Sequence, residues 1–303
     1  MDVFLVAGSA TVLNEGAVRN GVSEKMLGIT NGSFGNRLIE IGELNGKTVE
    51  KVQVPWGAAM KPEHIEGKVG KDVEAVCWCA NESSTGVFSD SVAISKAVSE
   101  QNPDALKIVD AVTAAYTKDL RVKDMDADAI IFGSQKALAL PPGLAIMLCS
   151  ERMLEKAKTV KNRGFYTDLF KIKKQSDVNY ALTTPPVSLM YGLDHQLDKM
   201  LKEGMTNLYA RHDEMSRLCE DWADKKLAGV FPEAGYRSKG ISVLNRGDLD
   251  FDDFHKKLKA KGYEISNGYG EVKEKTFRIG HMGDVTPAGV KELLAAMDSI
   301  MEE

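Results

Sequence analysis

Cysteine is scarce in this sequence: the 303 residues hold four, Cys77, Cys79, Cys149 and Cys219. So few thiols exclude a disulfide-stapled fold. The single residue between Cys77 and Cys79 is the wrong spacing for a zinc knuckle or a CxxC redox pair. Three of the four lie in apolar stretches that read as strands and Cys219 lies in a helical pattern, which predicts buried free thiols in a reducing cytoplasm. No apolar run approaches the length of a membrane span, and no basic stretch with a cleavage site announces a signal peptide. Basic charge is also in deficit. Lys and Arg number 39 against 44 Asp and Glu, a net charge of −5 spread along the chain, which argues against a nucleic-acid partner. His64, His195, His212, His255 and His281 are scattered without ligand spacing, so they read as surface or structural residues and no metal is expected.

What is present is an ordinary globular balance, 43% hydrophobic and 27% charged, at a length that suits one large domain and a smaller one. Short apolar runs at 3–6, 26–29, 49–54, 73–79, 106–109, 129–132 and 144–149 alternate with helical patterns at 13–19, 36–44 and 92–99. Most are rich in Val, Ile and Leu, as strands buried on both faces are, and the run beginning at Val3 reads as a core strand. The alternation predicts an α/β fold, a three-layer, mainly parallel sheet with helices on both faces. Pro185 and Pro186 open a long helical stretch over 189–203, and another covers 208–226. Beyond Gly229, isolated strands at 241–244, 263–266 and 276–279 and helices at 251–261 and 286–301 read as a smaller α+β domain. The expected division is 1–204 and 205–303.

The most informative stretch is Phe132-Gly-Ser-Gln-Lys-Ala-Leu-Ala-Leu-Pro-Pro-Gly143. It sets Lys136 just beyond a short apolar strand, with turn residues on both sides. There a lysine's pKa can be lowered and its amine can act as a nucleophile. Alone it would be a surface lysine in a loop. But Asp110 ends the preceding apolar strand, and an anion and an amine on successive strand ends are what pyridoxal 5'-phosphate (PLP) chemistry requires. The carboxylate keeps the pyridine nitrogen protonated and the amine forms the Schiff base. Ligands of such sheets bind beyond the carboxyl ends of the strands. Residues 9–11, 82–85, Asp110 and Lys136 all follow strand ends, so one rim collects them. Ser9, Ala10 and Thr11 open a helix whose first N–H groups offer an anion site, although an N-cap explains Ser or Thr there equally well.

With Val109-Asp-Ala-Val112, Gly133-Ser-Gln-Lys-Ala-Leu138 and Pro141-Pro-Gly143, the chain resembles the class V (fold type I) PLP-dependent aminotransferases, closest to their alanine–glyoxylate and serine–glyoxylate branch. The resemblance extends over Gly8-Ser-Ala-Thr-Val-Leu-Asn-Glu15, Asn31-Gly-Ser-Phe-Gly-Asn-Arg37, Asn81-Glu-Ser-Ser-Thr-Gly-Val87, Thr183-Thr-Pro-Pro-Val187 and Phe277-Arg-Ile-Gly-His-Met-Gly-Asp284. It implies that Lys136 carries PLP and moves the substrate proton, that Asp110 holds the pyridine nitrogen, and that Ser9, Ala10, Thr11 and Gln135 hold the phosphate. Relatives usually have Gly where Ala10 stands, and a His where this chain has Ala80-Asn81. Phe34, placed in a loop by its flanking glycines, would stack on the pyridine ring. Ser83 would sit near that ring, although a turn alone explains it. Arg278 would take the substrate carboxylate in a bidentate fork that Lys cannot reproduce. Thr184, with Tyr180 as a neighbour, would reach the phosphate of a partner subunit in a homodimer with shared sites. The resemblance also implies several tens of residues ahead of the first strand, beginning with a Pro-Gly-Pro-type segment. This sequence begins on the strand itself, through truncation or loss of that segment.

The function expected is amino transfer between alanine or serine and glyoxylate or pyruvate. A lyase or cysteine desulfurase on the same fold needs a reactive cysteine in a mobile loop, and none of the four cysteines is in one. A truncated, non-catalytic homologue is the third reading, against which Lys136, Asp110 and Arg278 all stand intact.

Overall fold

The structure, a computed structural model, describes residues 1–302. The first part of the chain alternates strand and helix: β1 (Asp2–Ala7), α1 (Thr11–Gly21), β2 (Lys25–Thr30), α2 (Ser33–Leu44), β3 (Thr48–Gln53) and β4 (Ala75–Cys79). A small hairpin follows, β5 (Asn81–Glu82) and β6 (Val87–Phe88), then α3 (Ser91–Gln101), β7 (Leu106–Asp110), α4 (Val122–Met125), β8 (Ala129–Gly133) and β9 (Leu144–Cys149). Helices α5 (Glu151–Thr159), α6 (Leu169–Ser176), α7 (Val187–Glu203) and α8 (Met205–Lys226) come next. The chain closes with β10 (Ile241–Asn245), α9 (Phe251–Ala260), β11 (Ser266–Asn267), β12 (Thr276–Gly280) and α10 (Pro287–Met301).

Seven strands form one sheet in the order β1-β9-β8-β7-β4-β2-β3. Strands β3, β2, β4, β7 and β8 run parallel, and β9 is antiparallel to both of its neighbours. Successive side chains of a strand point to opposite faces, and here both faces are covered. Val76, Trp78, Val109 and Ile130 enter one apolar core, whereas Cys77, Ile108 and Ile131 enter the core on the other side. That is the three-layer α/β architecture expected. All four cysteines are buried and free.

Three details differ from the sequence reading. Strand β1 is an edge strand with one covered face: Phe4 and Val6 are buried, whereas Val3 is 53% and Leu5 37% exposed. An alternating run and a fully buried run look alike when both faces carry apolar residues, as they do here. The strand expected over 263–266 shrinks to β11, which pairs only with Arg278 and Phe277. Helices α4, α5 and α6 gave no apolar pattern long enough to see. Helix α5 buries only Met153, Leu154 and Ala157, and its start is fixed by Ser150, whose side chain accepts from the Met153 N–H.

The last part builds a three-stranded sheet, β10-β12-β11, with its own core around Phe254, Phe277, Leu258 and Met297. Helix α8 serves both cores: Leu208 packs with the large one and Met215, Cys219 and Trp222 with the small one. Among the described residues no helix is long and apolar enough to cross a membrane.

Candidate active site

A cavity of about 250 Å3 opens at the carboxyl ends of the central strands, lined by Ser9, Ala10, Thr11, Phe34, Ser83, Asp110, Gln135 and Lys136. The structure thus brings together eight of the ten site residues read from the sequence, supplied by five strand ends. A larger groove of about 370 Å3 lies beside β1 and collects mainly apolar side chains.

Lys136 sits in a loop with little freedom. The Ser134 hydroxyl donates to the Pro141 carbonyl at 2.7 Å, and the Ser134 N–H donates to the Leu144 carbonyl at 3.0 Å. The Gly8 N–H donates to the Gly143 carbonyl at 2.9 Å and ties this loop to the turn before α1. The lysine amine has no hydrogen bond or ion pair among the described residues. Burial, and then the charge of Arg278, push its pKa below that of an ordinary lysine, and Asp110 opposes them. It is held as a nucleophile needs to be.

Asp110 ends β7. Its Oδ1 accepts from the Val112 N–H at 2.9 Å and its Oδ2 from the Asn14 Nδ2 at 2.8 Å. Burial pushes its pKa up, while these two hydrogen bonds and the charges of Arg37 and Lys136 pull it down. Helix α1 starts at the same rim, and no side chain caps it. The N–H groups of Val12 and Leu13 donate back to the carbonyls of Ser9 and Ala10, both at 3.0 Å. That leaves those of Ala10 and Thr11 without a partner among the described residues and open to an anion, with the positive end of the helix dipole behind them. Ala10 is in right-handed helical conformation, φ −53 and ψ −23, so the backbone here needs no glycine. Ser83 shares a 2.5 Å hydrogen bond with Thr113, across the cavity wall.

Phe34 is not in a loop. It lies in the first turn of α2, because the fully buried Glu82 caps that helix from another strand end. Its Oε2 accepts from the N–H groups of Phe34 at 3.0 Å and Gly35 at 2.9 Å. The other oxygen is held by the N–H and hydroxyl of Ser84, at 3.0 and 2.7 Å. Gly32 permits this approach, since a Cβ there would stand 2.5 Å from the Glu82 Cγ. Tyr269 stacks on Phe34, and the Arg278 guanidinium lies 5.4 Å from the Tyr269 ring centre. Arg278 spends only its Nε on the protein, in a 2.9 Å hydrogen bond to the Asn267 carbonyl. The fork of terminal nitrogens is left free.

Arg278 and Thr184 are the two site residues that do not line this cavity, and Thr184 is the more remote in setting. It is exposed, and its neighbours Thr183 and Tyr180 line the groove beside β1. Sequence reasoning placed Glu82 on the rim without its role as the cap of α2, and it gave no role to Asn14, Arg37, Asn81 and Tyr269. Asn14, Arg37 and Asn81 lay inside recognised motifs, which was the available signal. Tyr269 carried none.

The cavity has the character of a ligand site. Asn14 Oδ1, both polar atoms of the Asn81 side chain and Gln135 Oε1 are buried without a partner, and all three residues line it. Buried polar groups left unpaired are costly, so several around one space call for a polar ligand. A free amine, a carboxylate with spare lone pairs, an open helix N-terminus and an aromatic ring match the aldehyde, ring nitrogen, phosphate and ring face of PLP. Among the described residues no three His, Cys, Asp or Glu side chains are grouped to hold a metal.

Fold and cavity together describe a sheet-edge cofactor enzyme, and comparison with known proteins gives its family. The family described as aminotransferase class-V matches residues 36–278. A soluble hydrogenase 42 kDa subunit of Anabaena cylindrica is 30% identical, over 100% of this chain and 80% of its own length. An L-aspartate–glyoxylate aminotransferase of Paracoccus denitrificans is 32% identical over 99% of this chain and 78% of its own. A serine–glyoxylate aminotransferase of Methylorubrum extorquens is 30% identical, over 98% and 77%. Among solved structures, an aspartate aminotransferase from Thermus thermophilus superposes with a TM-score of 0.91 at 25% identity, covering 99% of this chain and 84% of that one. This chain belongs to the class-V aminotransferases. Its reaction is PLP-dependent transamination.

Proposed function

We propose that the amino donor is a small amino acid, alanine or serine, and the acceptor glyoxylate or pyruvate, with PLP held on Lys136. The observation that carries the assignment is the convergence of Lys136, Asp110, Phe34 and the open start of α1 on a cavity edged by unpaired amides. Bound PLP supplies an electron sink that lets the Cα proton of the amino acid leave. Ser9, Ala10, Thr11 and Gln135 hold the phosphate, Phe34 backs the ring with Ser83 beside it, and Asp110 accepts from the ring nitrogen. Lys136, its charge disfavoured by burial and by Arg278, first binds the cofactor. It then takes the proton from Cα and returns it at C4′. Arg278 grips the α-carboxylate with its free fork and so fixes the direction of the Cα–H bond.

The chain works as a homodimer in the cytoplasm, Thr184 and Tyr180 serving the partner's phosphate. Its large PLP-binding domain spans 1–204 and its small domain 205–303. The exposed position of Thr184 and the apolar groove beside it support this reading. Aspartate as donor is the second reading. Arg37 also lines the cavity and has no ion-pair or hydrogen-bond partner among the described residues, so a second carboxylate has a cation to meet.

Mixing the PLP-loaded enzyme with alanine, serine and aspartate separates these readings. Bleaching of the visible cofactor band by alanine or serine is expected, and bleaching by aspartate alone would move the assignment to the second reading. Borohydride should fix the cofactor to the peptide carrying Lys136. A label on any other lysine overturns the site.

A further inference from the structure

We propose that Asn14 is a positioning residue that sets the basicity of Asp110, so that helix α1 controls both ends of the cofactor. The inference rests on the reading of Asp110 given above. Asn14 is 3% exposed and donates from Nδ2 to Asp110 Oδ2 at 2.8 Å, across 96 residues of sequence. The carboxylate otherwise has only the Val112 N–H, and burial works against its charged form. Two donors, helped by the nearby charges of Arg37 and Lys136, therefore hold Asp110 against protonation by desolvation, and Asn14 is the only donor on a side chain. Its Oδ1 is buried without a partner and the residue lines the cavity, so the amide is not spent on helix capping.

The position in the helix matters as much as the bond. Thr11 and Asn14 are three residues apart and share one face of α1. The turn that offers N–H groups to a phosphate thus also carries the amide that reaches Asp110. Removing the amide makes the carboxylate more basic, and the proton shared with the pyridine nitrogen then shifts toward Asp110. A ring nitrogen with less positive charge withdraws fewer electrons, which slows loss of the Cα proton. It also repels the proton on the Lys136 nitrogen less. The pH at which the cofactor's visible band titrates should therefore rise. A hydrogen bond to a charged group is worth about one pH unit on this scale.

The test uses the PLP-loaded enzyme. In Asn14→Leu the band's titration midpoint should move up by about one pH unit. The 15N signal of the ring nitrogen should shift toward the unprotonated form. Turnover should show kcat down about tenfold with KM for the amino acid within about twofold. Asn14→Ala removes the same donor and leaves a small gap, and it carries the test if Asn14→Leu does not fold. An unchanged midpoint in a folded variant overturns the inference, as does failure of both variants to fold, which would make Asn14 a residue of the core. A wild-type enzyme without a visible band would instead sink the reading of the site itself.

Discussion

Tyr269 stacks on Phe34 with ring centres 5.7 Å apart and planes 16° from parallel. One residue comes from the loop after β11, the other from the first turn of α2. Gly270 makes the approach possible: its φ is +61, and a Cβ there would stand 2.5 Å from Ser33 Oγ and 2.6 Å from the Trp56 ring. With Arg278 at 5.4 Å from the tyrosine ring, the Arg278 guanidinium and the Phe34 ring share one support.

Tyr269→Ala removes a stacked pair and a cation–π contact, together worth about 1–2 kcal/mol. KM for the amino donor should rise about five- to tenfold, with kcat changed less than about threefold. Tyr269→Phe keeps both contacts and should stay within about twofold of wild type. Steady-state kinetics of the two variants check this, and an equal loss in both would point to the hydroxyl instead.

On the proposed grip of Arg278 on the substrate carboxylate, Arg278→Ala truncates one partner of a charge-assisted pair in a partly dry pocket, worth roughly 2–5 kcal/mol. A fall in kcat/KM of about 30-fold or more is expected, with Arg278→Lys recovering only part of it. Cofactor binding, measured by the visible band during PLP titration, should survive both. Unchanged turnover in the alanine variant would place the carboxylate site elsewhere.

Sedimentation should show a dimer whose dissociation is accompanied by loss of PLP. Leu5→Asp, which puts a charge in the apolar groove beside Thr183 and Tyr180, should shift the equilibrium toward monomer. A wild-type monomer with full cofactor occupancy would refute the shared site.

His281 gives a pH dependence with a definite sign. It is fully buried, with Nε2 paired to Ser242 at 2.9 Å and Nδ1 without a partner, and burial pushes its pKa down to about 3 from 6.5. Between those values the unfolded chain holds a proton on this residue that the folded chain does not. Stability is therefore present above the unfolded pKa and is lost as pH falls. The loss from this residue should reach about 2 kcal/mol at pH 5. Thermal midpoints measured from pH 8 to pH 5 should fall less steeply in His281→Gln than in wild type, and parallel curves would contradict the assignment.

Lys136 was legible in the sequence because its strand end is punctuated by glycine, proline and small polar residues within a few positions, and Asp110 because a lone carboxylate closes an apolar run. Phe34 was recognised and its setting misjudged. Glycines on either side suggest a loop, but the cap that makes a helix of it comes from Glu82, 48 residues on. Asn14 looked like any helix residue, and its partner lies 96 residues away. Contacts of that kind are properties of the sheet order, in which β4 and β7 lie side by side although α3 and the hairpin separate them in sequence. His212 and His281, both buried, fall on the structural side of a reading that left surface or structural open, since a lone His carries no sign of its own exposure.

Strand β1 has a strand neighbour only on one side, β9, so among the described residues no strand pairs its outer row of N–H and C=O groups. Of that row the Ala7 carbonyl alone is taken, by the Tyr166 hydroxyl, and the face beside it bears exposed Val3 and Leu5. The strand has no proline or lysine to blunt that edge. Such a row is a template on which another strand can add. The practical consequence is colloidal. Concentrated preparations should be most prone to clump when this edge is bare, and shelf life should track how well it is covered.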